Sequence, residues 1–230
     1  MDRSSVFHVI AAVYHFYALI YPYYHGLNMN HAKGFGGRLK FLTIWGHLLQ
    51  VGYYIFAALV DVYNQCRGSP CSKLKQARDW WFSTLVFPIT FLVFILFWGL
   101  FAYDRELVMP KRLDAEIDPL FNHMVHTFII FWALTEPLVT EITIPKKRQG
   151  LLAIAFFGVS YTVWSYIIFL NIGKWVYPIL NILSDVQRVL FILVAYVLIV
   201  CLFFSTGHIR KNLEELMWSR LRKLIKFAFV

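Results

Sequence analysis

The sequence predicts an all-α membrane protein with six transmembrane helices and a basic amphipathic helix at the C-terminus. Three observations support this fold class. Hydrophobic residues make up 59% of the 230-residue chain, and aromatic residues make up 19%. Only 15% of the residues are charged, whereas a typical soluble domain has about 25%. Six apolar runs are also long enough to cross the roughly 30 Å hydrocarbon core of a bilayer.

The six predicted spans form a single domain over residues 1–230. They are expected near residues 6–24, 41–60, 80–103, 120–139, 151–172 and 189–205. Tyr and Trp residues lie near several span ends, as is typical of membrane interfaces. The first run lacks a small-residue cleavage site, so we expect it to stay in the chain as a membrane anchor.

Lys and Arg residues in the connections predict the orientation of the chain. With six spans, the two termini and the loops after spans two and four share one side, and this side carries most of the Lys and Arg residues. Because cytosolic loops are enriched in these residues, both termini are predicted to be cytosolic. The cell membrane and the endoplasmic reticulum both fit. The formal charge of +9 follows from this bias, and nucleic acid is not an expected partner.

The C-terminal segment after the sixth predicted span has its own pattern. Over residues 208–230, apolar side chains recur every three or four positions with Arg and Lys between them. This pattern predicts a basic amphipathic helix that lies on the cytosolic leaflet and binds membrane lipids.

Two groups of polar side chains stand out at the start of predicted spans. Asn122, His123 and His126 open the fourth span, and Thr43 lies just inside the second span with His47 four residues further on. Hydrocarbon is costly for such groups unless they are paired, so polar residues at this depth indicate a functional site. A lone Thr in a membrane helix, however, often bonds only to the backbone carbonyl four residues earlier.

The expected depths of the two groups agree. At a rise of 1.5 Å per residue, Thr43 would lie roughly 5 Å and His126 roughly 9 Å below the outer boundary. This difference is within the error of boundaries predicted from sequence. If the two helices are neighbours, a hydroxyl and an imidazole at one depth can form a nucleophile and its base. Periodicity does not predict that adjacency, and His47 is an alternative base one helical turn from Thr43.

Other residues of such a site are less well defined by the sequence. Asn122 or backbone amides of the outer loops are candidate donors to an oxyanion, with His123 as a further candidate for substrate contact. Asp104, in a cluster of opposite charges after the third span, is a candidate third catalytic residue. The sequence predicts neither a resident metal ion nor another cofactor.

Four motifs, taken together and in order, resemble the androgen-induced gene family. They are Lys40-Phe41-Leu42-Thr43, Ala102-Tyr103-Asp104-Arg105-Glu106, Asn122-His123-x-x-His126-Thr127 and Trp175-Val176-Tyr177-Pro178. The resemblance implies a multi-pass membrane hydrolase of fatty acid esters of hydroxy fatty acids that uses a threonine nucleophile and a histidine. Matched motif by motif, these residues fall on Thr43 and His126.

Two alternative functions also fit the sequence. Five histidines in or near the spans could ligate a metal or haem: His8, His15, His47, His123 and His126. Against haem, His123 and His126 lie on one helix rather than facing each other across a site. A transporter or a signalling protein without enzymatic activity would use the same polar residues to line a pocket, but the sequence has no inverted repeat.

Two further polar features have simpler expected roles. Of His8 and His15, we expect one at the interface and one hydrogen-bonded to a neighbouring helix. Glu136 lies deep in the fourth predicted span, either near the cytosolic face or paired inside the bundle, and we favour the first.

Overall fold

The structure, a computed structural model, describes the backbone of residues 2–228 and the side chains of residues 2–208, 211, 212 and 215. This part of the chain is helical and contains no strand. Its α-helices are α1 (Arg3–Tyr24), α2 (Leu42–Arg67), α3 (Ser72–Trp81), α4 (Phe87–Asp104), α5 (Pro119–His126), α6 (Ile129–Val139), α7 (Lys147–Ile172), α8 (Pro178–Ile182) and α9 (Asp185–Ala228). Short 3-10 turns at Asn30–Ala32, Gly37–Lys40, Arg105–Leu107 and Lys111–Leu113 shape the connections.

Five helical segments of the described chain are long and apolar enough to cross a membrane. They are Arg3–Tyr24, Leu42–Arg67, Ser72–Leu107, Lys147–Ile172 and Asp185–His208. They correspond to the first, second, third, fifth and sixth predicted spans.

The prediction of six uninterrupted spans is not confirmed, because the fourth predicted span is broken. Residues 120–139 form the end of α5 and all of α6, with Thr127 and Phe128 between them. The carbonyl of His123 accepts hydrogen bonds from the backbone N–H groups of both Thr127 (2.8 Å) and Phe128 (2.9 Å). This shared acceptor interrupts the regular i to i−4 ladder of an α-helix.

The C-terminal segment does not form a separate helix as predicted. α9 runs without a break from Asp185 to Ala228, so the backbone of the C-terminal segment continues the last long helix. The predicted basic amphipathic surface depends on the side chains of residues 208–230, most of which lie outside the described residues.

The third long segment contains a wider turn beside a proline. Between α3 and α4, residues Phe82–Val86 form a π-helical turn, and the N–H of Phe87 donates to the carbonyl of Phe82. Pro88 follows immediately and has no N–H to donate to the preceding turn. A π turn next to this proline lets the long segment continue despite the missing donor.

Small residues allow α7 and α9 to approach closely. A Cβ added at Gly158 would lie 2.4 Å from the ring of Tyr196 on α9, and one added at Gly150 would lie 2.3 Å from the ring of Phe203. Helices in membranes pack through such small residues because lipid provides no hydrophobic drive for their association. The outer surfaces stay apolar, with Phe156 77% and Val194 63% exposed.

A buried ionic network joins α1, α2 and α6. His8 is fully buried, and its Nδ1 lies 2.7 Å from a carboxylate oxygen of Asp61. Its Nε2 lies 3.1 Å from both carboxylate oxygens of Glu136, which also accepts a hydrogen bond of 2.6 Å from the Tyr53 hydroxyl. Our expectation for Glu136 was therefore wrong, since this carboxylate is paired inside the bundle. The expectation of one interfacial histidine was wrong too, because His15 is also fully buried.

Candidate active site

The hydroxyl of Thr43 lies 3.2 Å from Nε2 of His126. Thr43 is the second residue of α2, and His126 is the last residue of α5. The two helices meet because α5 packs between α1, α2 and α4. The structure thus supplies the adjacency that periodicity does not predict.

Asn122 holds the other side of the His126 ring. Nδ1 of His126 lies 2.8 Å from the Asn122 side-chain oxygen and 3.2 Å from the Asn122 backbone oxygen. A backbone carbonyl can only accept, so Nδ1 carries the ring proton and donates it. Nε2 is then unprotonated in the neutral ring and accepts the hydrogen bond from the Thr43 hydroxyl.

An aromatic ring fixes the plane of the imidazole. Phe97 of α4 stacks on His126 with 3.6 Å between ring centroids and 7° between ring planes. Together with the two Asn122 contacts, this stacking leaves the imidazole little freedom to tilt away from Thr43.

A cavity of about 590 Å³ opens beside this pair. Thr43, Asn122 and His126 all lie on its wall. The rest of the wall is largely aliphatic and aromatic, with Leu92, Val93, Leu96, Phe157, Ile192 and Ile199 among its residues. This volume is typical of a small-molecule site, and its apolar wall fits an acyl chain.

The side chain of Tyr177 places a second hydroxyl group beside Thr43. The N–H of Leu42, at the start of α2, donates to the Tyr177 hydroxyl oxygen over 2.9 Å. The side chain of Tyr177 also interacts with that of Thr43. Burial raises the pKa of Tyr177 above its usual value, so at neutral pH the phenol keeps the proton that it can donate.

The remaining candidates from the sequence lie elsewhere. His47 is fully buried, and its Nδ1 lies 3.4 Å from Nδ1 of His15. His123 is exposed and pairs with the Thr127 hydroxyl over 2.9 Å. Asp104 is exposed at the end of α4, where it accepts a hydrogen bond from the N–H of Glu106. His47, His123 and Asp104 are not on the cavity wall.

Two residues of this site were missed by sequence reasoning. Tyr177 belongs to the Trp175-Val176-Tyr177-Pro178 motif, which by composition indicates only an interfacial anchor, and Phe97 is one of many apolar residues in its span. The motif was the one available signal for Tyr177, since its contact with Leu42 joins positions 135 residues apart.

The described residues contain no group of three or more His, Cys, Asp or Glu arranged to hold a metal ion. The carboxylates of Asp61 and Glu136, for example, lie on opposite sides of the His8 ring. These three side chains therefore do not direct their donor atoms at one ion.

These long apolar helices, with polar groups gathered inside, define a multi-pass integral membrane protein. The sequence model of the FAR-17a/AIG1-like protein family matches residues 4–211. The chain therefore belongs to this family, as the four motifs predicted.

Several curated relatives agree with this assignment. The androgen-dependent TFPI-regulating protein of Mus musculus is 37% identical over 200 residues, which cover 81% of this chain and 86% of the relative. Its Homo sapiens counterpart is 33% identical over 189 residues, covering 82% and 80%. The androgen-induced gene 1 protein of Homo sapiens is 32% identical over 183 residues, covering 76% and 77%. No solved structure matches the chain significantly.

Proposed function

We propose that this protein is a membrane-embedded hydrolase that cleaves the ester bond of fatty acid esters of hydroxy fatty acids. Thr43 is the nucleophile and His126 is its general base. The observation that carries the proposal is the 3.2 Å contact between the Thr43 hydroxyl and Nε2 of His126 on the wall of a largely apolar cavity.

The first half of the reaction transfers the acyl group to the enzyme. The Thr43 oxygen attacks the ester carbonyl carbon while its proton passes to Nε2 of His126. The tetrahedral intermediate then breaks the bond between the carbonyl carbon and the alcohol oxygen. The alcohol oxygen takes the proton from Nε2 and leaves as the hydroxy fatty acid, so that an acyl-threonine ester remains.

The second half restores the enzyme. A water molecule gives a proton to Nε2 and attacks the acyl-threonine carbonyl. When this intermediate collapses, the Thr43 oxygen leaves and recovers the proton from His126, and the free fatty acid is released. An internal threonine has no amine of its own to act as base, which is why a separate histidine is required.

The start of α2 supports the negative charge that develops on the carbonyl oxygen. In this first turn, the N–H of Leu42 donates to the Tyr177 hydroxyl, and the N–H groups of Ile44 and Trp45 donate to the carbonyl of Phe41. The helix dipole is positive at this end and favours the negative charge. We assign the Tyr177 hydroxyl, which accepts from Leu42 and also interacts with the side chains of Thr43 and Tyr161, as a donor to this oxyanion.

The apolar cavity and the membrane fold support a lipid substrate. An acyl chain can stay among apolar side chains while its ester reaches Thr43 near the end of the helix. The resemblance of the four motifs supports the particular ester class. Asn122 contacts His126 through its acceptor atoms, so we assign it the orientation of the base instead of oxyanion binding.

The test is hydrolysis of a branched fatty acid ester of a hydroxy fatty acid by membranes containing matched amounts of four proteins. These are the wild type, Thr43→Ala, His126→Ala and His47→Ala. We expect loss of activity in the first two variants and retained activity in the third. An inactive wild type would refute the proposed activity, and loss in His47→Ala with activity kept in His126→Ala would assign the base to His47.

A further inference from the structure

The wall of the same cavity carries a half-buried cation without an acidic partner among the side chains that the structure describes. Arg38 is one of the cavity residues. One of its terminal nitrogens, Nη1, donates to the backbone carbonyl of Leu19, and its guanidinium lies 5.4 Å from the centre of the Tyr23 ring. Nε and the second terminal nitrogen, Nη2, are buried and have no hydrogen-bond partner among the described residues.

No acidic side chain in the described part of the chain forms an ion pair with this guanidinium. Glu116 lines the same cavity but is already engaged. It accepts from the backbone N–H of His31 over 2.9 Å and pairs with Nδ1 of His31 over 2.8 Å. These hydrogen bonds hold the pKa of the Glu116 carboxyl below its usual value, so it stays ionised and bound to His31 at neutral pH.

Buried charges and buried N–H groups without partners are costly, and proteins seldom keep them without a function. Arginine presents Nε–H and one Nη–H as a planar fork that matches the two oxygens of a carboxylate. Nε and Nη2 of Arg38 are such a pair of donors. A carboxylate therefore fits this pair of donors.

We propose that Arg38 is a carboxylate-binding subsite that holds the free acid group of the substrate while its ester lies at Thr43. This inference rests on the proposed hydrolase function. A fatty acid ester of a hydroxy fatty acid carries one free carboxylate, whereas neutral lipid esters carry none. Arg38 and Thr43 are five residues apart in sequence and line one cavity, so a single substrate can reach both. Arg38 is thus a specificity-determining residue.

The local backbone gives this subsite a fixed position. Gly36 precedes the 3-10 turn Gly37–Lys40 that carries Arg38, and it has a φ of 78°. A Cβ added at Gly36 would lie 2.3 Å from the buried side chain of Ile168 on α7. The turn therefore rests directly against α7, and the guanidinium is held between this turn and α1.

The first test compares a fatty acid ester of a hydroxy fatty acid with the same molecule carrying a methylated carboxyl group. Release of the fatty acid that forms the acyl part of the ester is measured for the wild type, Arg38→Gln and Arg38→Lys. Because the two substrates are compared in one preparation, the ratio of their rates is independent of the amount of folded protein. We expect the wild type to prefer the free acid by on the order of 10- to 100-fold, a typical effect of hydrogen bonds to a charged group. Arg38→Gln should abolish the preference, and Arg38→Lys should retain part of it.

Arg112→Gln is the matched control, since Arg112 is an exposed cation on the same cavity wall. It should leave the preference unchanged. An active wild type without a preference, or an Arg38→Gln variant that keeps the preference, would overturn the subsite and leave the proposed hydrolase intact. Loss of the preference in Arg112→Gln but not in Arg38→Gln would move the subsite to Arg112 and equally refute our assignment.

A binding measurement separates this inference from the proposed reaction. Oleate and oleyl alcohol have the same chain, but only oleate has a carboxylate. In detergent-solubilised protein, we expect oleate to bind more tightly than oleyl alcohol to the wild type and equally to Arg38→Gln. Equal binding of both ligands to the wild type would overturn the subsite. Tighter binding of oleate that is lost in Arg38→Gln would support the subsite even if the wild type hydrolyses no ester.

Discussion

The Thr43 hydroxyl and Nε2 of His126 lie 3.2 Å apart although 83 positions separate the two residues in the chain. Each residue lies at one end of a helix: Thr43 is in the first turn of α2, and His126 is the last residue of α5. The break after His126 is part of this arrangement, because a straight helix through residues 120–139 would not leave the imidazole at a helix end. The interrupted fourth span is therefore a feature of the candidate site.

Asn122 is expected to act on the rate through His126. Replacing Asn122 with Ala removes the 2.8 Å side-chain contact to Nδ1 but leaves the backbone contact of 3.2 Å. The imidazole then loses part of its orientation, and misplacement by about 1 Å can cost about 10²-fold in rate. We expect kcat to fall by about this factor with KM nearly unchanged. His123→Ala, on the same helix but directed to Thr127, is the control and should keep normal kinetics. A large rise in KM for Asn122→Ala would indicate substrate contact instead.

Tyr177→Phe removes a hydroxyl beside Thr43 and keeps the ring. If this hydroxyl stabilises the oxyanion, the variant should lose about 10²-fold in kcat. Its donor is present only while the phenol is protonated. Because burial raises the pKa of Tyr177 above its usual value, which is about 10, less than about a tenth of the phenol is ionised at about pH 9, and the wild type should lose little activity through Tyr177 between about pH 7 and about pH 9. Steady-state kinetics over this range test both statements. A Tyr177→Phe enzyme with full activity would exclude the role.

The buried network around His8 is expected to stabilise the fold. His8→Ala leaves the carboxylates of Asp61 and Glu136 buried without their shared partner, and breaking such a pair typically costs about 3–5 kcal/mol in the free energy of unfolding. Thermal unfolding in detergent should show a clearly lowered Tm. Val9→Ala, the adjacent position with a 40% exposed side chain, should change Tm little. Equal effects of the two substitutions would argue against the network.

Substitution of two glycines in one loop distinguishes the cost of backbone strain from the cost of a side-chain clash. Gly34 and Gly36 both have positive φ angles, of 87° and 78°, so an Ala at either position pays about the same conformational cost. Only at Gly36 would the added Cβ meet Ile168, which is 1% exposed. Gly36→Ala should therefore lower stability by a further 1–3 kcal/mol or so relative to Gly34→Ala. Thermal unfolding of the two variants checks this difference, and equal Tm values would contradict it.

The sequence predicted much of the fold because membrane spans depend on local composition. Five of the six predicted spans correspond to long helices, since an apolar run of sufficient length has few alternatives in lipid. The break at Thr127 was not predicted, because hydropathy reports only the composition of a span. It does not report that one carbonyl, that of His123, accepts two backbone hydrogen bonds. Glu136 was misjudged for a similar reason: its partner His8 lies 128 positions away in the chain.

The sequence predicted which two residues of the candidate site could pair, but periodicity alone did not predict that their helices are neighbours. Helical rise brought Thr43 and His126 to one level, and the motif resemblance selected His126 over His47. The contact of His126 with Asn122 follows helix periodicity at four residues and could have been inferred. Arg38, however, resembles an ordinary interfacial cation until its missing partners are known.

The most direct test of the account is identification of the residue that reacts with a fluorophosphonate probe. Membranes containing the wild type, Thr43→Ala or His126→Ala are treated with the probe, and the labelled peptide is sequenced by mass spectrometry. We expect an adduct on the Thr43 oxygen in the wild type, none in Thr43→Ala and strongly reduced labelling in His126→Ala. An intact Thr43→Ala protein that is still labelled and still hydrolyses the ester would contradict it.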